Sequence, residues 1–199
     1  MPIALVLTVC SVLGVLLAQS FLPVRAGFLG AAILVFAASR LRGRWQDDQS
    51  APDAAERASL LSIAGTLVCL GYFLAMLYQI GPGLDIHAPA TRKMANELWI
   101  LVAASFAAQW IVQAPHATHD ELDSTIAARA LSVSCYLLLS LQATLVVWFA
   151  LLLDKGSALR SIDMLVHLVI GCWMVAHIFY GLFCVNAYAA LRAAGRNAA

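Results

Sequence analysis

The sequence predicts an all-α polytopic membrane protein with about six transmembrane helices, and three observations carry that expectation. Apolar runs of about 20 residues recur along the chain, the length a helix needs to cross the hydrocarbon core. Only 12% of the 199 residues are charged, about half the share usual in a soluble chain. Mean hydropathy is +0.85. Such runs must be helical, because a backbone in lipid has to satisfy its own hydrogen bonds.

The first run, residues 3–22, has the apolarity of a signal-peptide core. It lacks a positive leading segment and is too long, so it reads as the first span. A second, shorter run at 24–39 follows closely after "FLPVRAG". The third, 60–80, ends at the turn "GPG", where glycine and proline interrupt a helix. Further spans are expected at 96–114, 130–153 and 162–191. Residues 1–199 thus form a single transmembrane domain, with no stretch left for a soluble catalytic domain.

The segments leading into the third and fifth spans resemble each other. "SAPDAAERASLL" pairs Ser50 with Asp53, and "THDELDSTIAARAL" pairs Thr118 with Glu121, each in the spacing of a capping box. In both, acidic residues come first and arginine follows, as the helix dipole favours. The likeness implies a duplicated helical hairpin, spans two–three and four–five. "DELDSTIAARA" also resembles the DExxxxIxxKA-type signature of an uncharacterised family of small multi-pass prokaryotic membrane proteins. Asp120, Glu121, Ile126, Arg129 and Ala130 are the matching positions. The resemblance implies a multi-pass topology and carries no activity, and this chain departs from it in having six apparent spans rather than about four.

Six spans place both chain ends on one side, together with the loops at 40–57 and 115–129. That side holds seven Lys or Arg residues and the other five, and "RLRGRW" lies at a membrane edge, where basic residues count most. The expectation is a multi-pass inner-membrane protein with cytoplasmic termini. Net charge is +1 with no basic tract, which excludes nucleic acid as a partner. The partners expected are the bilayer and either further copies of the chain or another membrane protein. Trp45 and Trp99 fall near expected membrane edges, as amphipathic anchors do; Trp110, Trp148 and Trp173 lie deeper and read as packing. Cys10, Cys69, Cys135, Cys172 and Cys184 all lie in apolar runs without CxxC or zinc spacing, and read as small buried hydrophobes.

Ionisable groups within spans are the first candidates for chemistry. Asp163 and His167 stand one helical turn apart on the sixth span, and His177 follows ten residues later. A carboxylate one turn from an imidazole would fix its tautomer and suit proton transfer or ligand binding. Gln109 and Gln113 stand one turn apart on the fourth span, and Ser132, Ser134, Ser140, Gln142 and Thr144 dot the fifth. These residues either line a polar path or join helices by hydrogen bonds, the commoner use. The Ala104-xxx-Ala108 pair permits close helix approach in the same way.

No cofactor is expected. His167 and His177 lie about 15 Å apart along one helix, too far to ligate both faces of a haem iron. "PHATHDELD" raises a metal site, because His116, His119, Asp120 and Asp123 would share a face if the whole stretch were helical. With Thr118 as cap, however, His116 precedes the helix, and His119, Asp120 and Glu121 become its first turn. The near-copy at 50–57 has the same cap and no histidine, so no metal is assigned. Hydrolase, zincin and nucleotide-binding motifs are absent from the sequence. The expected function is therefore that of an accessory, regulatory or assembly subunit acting through helix–helix contacts. The alternatives are a small oligomeric transporter or channel with a polar pathway near the fourth and sixth spans, and a haem-binding redox protein.

Overall fold

The computed structural model describes residues 3–19, 25–47, 53–81, 84–113, 121–152 and 161–197. These form six helices: α1 (Ile3–Ala18), α2 (Ala26–Asp47), α3 (Ala54–Ile80), α4 (Pro89–Val112), α5 (Glu121–Val147) and α6 (Ile162–Asn197). No strand occurs among the described residues. Five of the helices, α2 to α6, are long and apolar enough to cross a membrane. The chain is a polytopic helical membrane protein.

Several boundaries differ from those expected. The second helix, expected to be the shortest, has 22 residues, whereas α1 has 16 and rises only about 24 Å. α4 starts at Pro89, not 96, and α5 at Glu121, not 130. The reason is common to both. Hydropathy marks where a helix meets lipid, while the helix itself continues through polar turns outside that zone. At α4 the start is set by Pro89, whose missing N–H costs nothing in the first turn. The expected capping box at Ser50 is not the cap of α3. Asp53 occupies the N-cap and makes no side-chain capping bond, and Ser50 and Thr118 lie outside the described residues. α3 ends at Gly81, whose φ of 79° strains any residue with a Cβ, and its N–H donates to Leu77 O at 2.9 Å.

α3 is the hub. It packs on α1, α4 and α6, while α2 is held by α4 and α5 packs chiefly on α6. The segments expected as paired hairpins do not pack as such, for α2 and α3 meet only marginally. The main core joins Leu17, Leu34, Val68, Tyr72, Phe73, Met94 and Leu101 from the first four helices. Lipid is as apolar as these side chains, so dense contact rather than escape from water holds them together. Backbone proximity makes that density possible. A Cβ on Gly14 would lie 2.3 Å from Val68 O and 2.7 Å from Tyr72 N, and one on Gly71 would lie 2.5 Å from Ser11 O. The expected small-residue seam on α4 is present: Ala104 and Ala108 are both buried, in adjoining core clusters.

The outer surface is what lipid requires. Trp110, Leu139, Tyr136, Leu151 and Trp173 all face outward, so the expectation that Trp110 and Trp173 pack inside does not hold. Trp148 lies half-buried in a π-helical turn, Trp148–Leu152, that continues α5.

Replacing Gly14 by leucine should overpack the α1–α3 crossing and destabilise the protein by about 1–3 kcal/mol. Gly43→Ala, where a Cβ meets nothing within 4 Å, should leave stability unchanged or slightly raised. Thermal melting in one detergent compares the two; equal melting temperatures would refute the crossing as a constraint.

Candidate functional site

The first halves of α3 and α5 and the later parts of α4 and α6 enclose a cleft of about 300 Å³. Its floor is the small-residue run of α3, Ala54, Ala55, Ala58, Ser59 and Ser62. The eight steps from Ala54 to Ser62 make it about 12 Å long. One wall carries Gln109 and Gln113, the facing wall carries His177, Tyr180, Cys184 and Tyr188, and Asp123 and Ala127 stand at the α5 side. The space exists because α5 leans on α6 through one narrow stripe, Ile126, Ala130 and Ser134, and leaves α4 largely uncovered.

Each polar side chain has a local reason for its place. His177 Nε2 lies 2.7 Å from Ser62 Oγ, and its ring stacks on Tyr180 at 6.1 Å. Ser59 Oγ donates to Ala55 O at 2.9 Å. Tyr188 donates its hydroxyl to Asp123 Oδ1 at 2.7 Å, which ties α6 to the first turn of α5. Gln113 N–H donates to Gln109 O at 3.2 Å, and the two side-chain carboxamides make no hydrogen bond among the described residues. Their carboxamides, each with a double donor and an acceptor, therefore line the cleft unspent.

Beside the cleft, Glu56 and Arg192 form a two-pronged ion pair between α3 and α6. Arg192 Nη2 donates to Oε1 at 2.7 Å and Nη1 donates to Oε2. Glu56 is buried and Arg192 about a third exposed. A second buried carboxylate, Glu97, sits at the opposite end of the bundle and accepts the Gly27 N–H in the first turn of α2. It acts as a cap supplied by another helix, where the positive end of the α2 dipole favours it. A Cβ at Gly27 would meet that carboxylate at 2.5 Å.

The structure divides the residues expected to act together. Gln109, Gln113 and His177 share the cleft; Asp163 and His167 do not. His167 is buried and stacked on Phe73, and its Nδ1–H donates to the Asp163 main-chain carbonyl at 2.6 Å. The Asp163 carboxylate instead accepts the Ile86 N–H at 3.3 Å, so the backbone and not the carboxylate fixes the imidazole. Ser132, Ser140 and Thr144 neither line a path nor join helices. They face outward and donate to carbonyls four residues back, Ala128, Tyr136 and Ser140. Ser134 is buried, and its hydroxyl has no partner among the described residues.

His116, His119 and Asp120 lie outside the described residues. Within the described residues no three His, Cys, Asp or Glu side chains gather as metal ligands would. Sequence reasoning missed Ser62, Tyr188 and the Glu56–Arg192 pair. The one signal for that pair was a glutamate in the first turn of one apolar helix and an arginine near the end of another. Comparison of the chain with protein families, curated proteins and solved structures finds no match.

Arg192→Ala should cost about 2–3 kcal/mol by leaving the Glu56 carboxylate buried without a cation, less than for a wholly buried pair because Arg192 is partly exposed. Glu56→Gln combined with Arg192→Met should recover the larger part of that loss. Chemical or thermal unfolding of the three proteins measures both; a double variant no better than Arg192→Ala would contradict the pairing.

Proposed function

We propose that this integral membrane protein is an accessory or regulatory subunit, and that it receives its signal in the α3–α6 cleft rather than conducting a solute. One observation carries the reading: the polar lining stops at His177. Beyond it, Phe73 of α3 and Met174 of α6 belong to the main apolar core, and the apolar cluster of Ile63, Leu67 and Ile178 flanks the cleft at its inner end. His167, which a through-going path would use, is buried and stacks on Phe73 in that apolar region. A cleft open at one end and closed at the other suits binding more than passage.

Lys and Arg are more numerous on the side of the cleft, and on that ground we assign it to the cytoplasmic face of an inner membrane. The broad outward surface of α5 offers room for another copy of the chain or for a different membrane protein. The meeting of Gln109, Gln113 and His177 also supports a second reading, a small oligomeric transporter in which neighbouring copies complete the path.

Proteoliposomes separate the two. The accessory reading expects proton and small-ion flux equal to that of protein-free liposomes, unaltered by His167→Ala or His177→Ala. Flux above that background, lost in His177→Ala, would overturn it in favour of transport.

A further inference from the structure

We propose that the basic end of α2 is a headgroup site for an anionic phospholipid, with Arg40 and Arg44 holding its phosphate beside Gly43. The site lies away from the cleft and does not depend on how the cleft is read.

The apolar part of α2 runs straight into arginine. Its membrane-crossing stretch, Ala26–Trp45, has 20 residues, so Arg40, Arg42 and Arg44 fall in its last two turns, at the level of the headgroups. One side of this end is docked. Ala38, Leu41 and Trp45 belong to a core cluster with Leu61, Ala108 and Val112. Arg57 of α3 stacks on the Trp45 ring at 5.6 Å and donates to its carbonyl at 3.4 Å. The other side is thereby held outward, and there Phe36, Arg40, Gly43 and Arg44 are all exposed. The last three stand at i, i+3 and i+4, as neighbours on one helix surface.

Three features of this face fit a lipid phosphate. Among the described residues neither Arg40 nor Arg44 forms an ion pair or a side-chain hydrogen bond. Arg40 lies over the Phe36 ring at 5.1 Å, a contact through the flat face of the guanidinium that leaves its N–H groups to other partners. Those N–H groups match phosphate oxygens two at a time. At Gly43 a Cβ would meet nothing within 4 Å, so a phosphate can approach the helix closely beside both arginines. Depth selects a lipid over a dissolved anion. Phe36, one turn before Arg40, is 60% exposed on a membrane-crossing helix and so faces acyl chains. Asp47 and Asp48 follow Arg44 by three and four residues, farther from the apolar run. A zwitterionic head brings an ammonium that the two arginines repel, so the charge of the site favours an anionic one.

The test uses the full chain in a neutral detergent, with native mass spectrometry counting bound phosphatidylglycerol or phosphatidylcholine of the same acyl chains. Phosphatidylglycerol should bind about tenfold more tightly. Arg40→Gln combined with Arg44→Gln should weaken it at least about tenfold, each arginine accounting for about fivefold, and bring it level with phosphatidylcholine. Arg44→Gln alone, expected to cost about fivefold, serves should the double variant fail to fold. Arg92→Gln combined with Lys93→Gln removes the same charge from exposed positions at the opposite end of the bundle and should leave the preference intact. Gly43→Leu changes no charge, yet should weaken phosphatidylglycerol severalfold by filling the space beside the arginines. Millimolar inorganic phosphate should leave the bound lipid in place. Equal binding of the two lipids, a preference that survives in the Arg40 and Arg44 variants, or an equal loss in the Arg92 and Lys93 variant would overturn the site. Undiminished binding in Gly43→Leu would overturn the seat beside the glycine. Displacement of the lipid by inorganic phosphate would overturn the lipid as its occupant.

Discussion

The close passage of α1 across α3 is the constraint on which the rest of the bundle depends. Where Gly14 meets Gly71, backbone touches backbone, and no side chain larger than hydrogen fits. That contact holds α3 in the middle of the bundle, from which it can also reach α4 and α6. In lipid no general hydrophobic force gathers helices, so a crossing of this closeness supplies packing that bulkier surfaces cannot. The other elements then attach in turn: α2 through α4, and α5 through α6. The outermost attachment is the loosest, and the cleft lies where α5 fails to cover α4.

Most polar groups in this bundle find a partner by the shortest route. Hydroxyls on the lipid-facing surface of α5 donate to their own backbone, so they are compatible with lipid without marking a function. Carboxylates inside the protein reach across to another element. Glu97 caps α2, Glu56 grips Arg192, and Asp163 holds the turn before α4. These three fix helix ends in space. Among the described residues the buried hydroxyls of Thr91 and Ser134 have no partner, and the carboxamides of Gln109 and Gln113 line the cleft.

Much of the fold was legible in the sequence because apolar length is a one-dimensional property. The helical class, and spans three to six, follow from it directly. The helix ends do not, since polar turns at Pro89 and Glu121 extend the helices beyond the apolar zone. The site was legible only in part. Spacing placed Gln109 beside Gln113, but the approach of His177 to Ser62 spans 115 residues and depends on how α3 meets α6. The Asp163–His167 spacing misled for a related reason. One turn of separation permits contact, and a nearer backbone carbonyl and the Ile86 amide each made a better partner. The Glu56–Arg192 pair, 136 residues apart, left no local pattern to read.

The central claim is that polar access reaches His177 from one side and ends there. Cysteine labelling tests it most directly, with the five native cysteines replaced by alanine and single cysteines placed at Gln109 and at His167. A membrane-impermeant maleimide is applied to vesicles of each orientation. The account predicts that Gln109→Cys reacts from one side only and that His167→Cys reacts from neither. Reaction of His167→Cys at a rate comparable to Gln109→Cys, or reaction of Gln109→Cys from both sides, would contradict it.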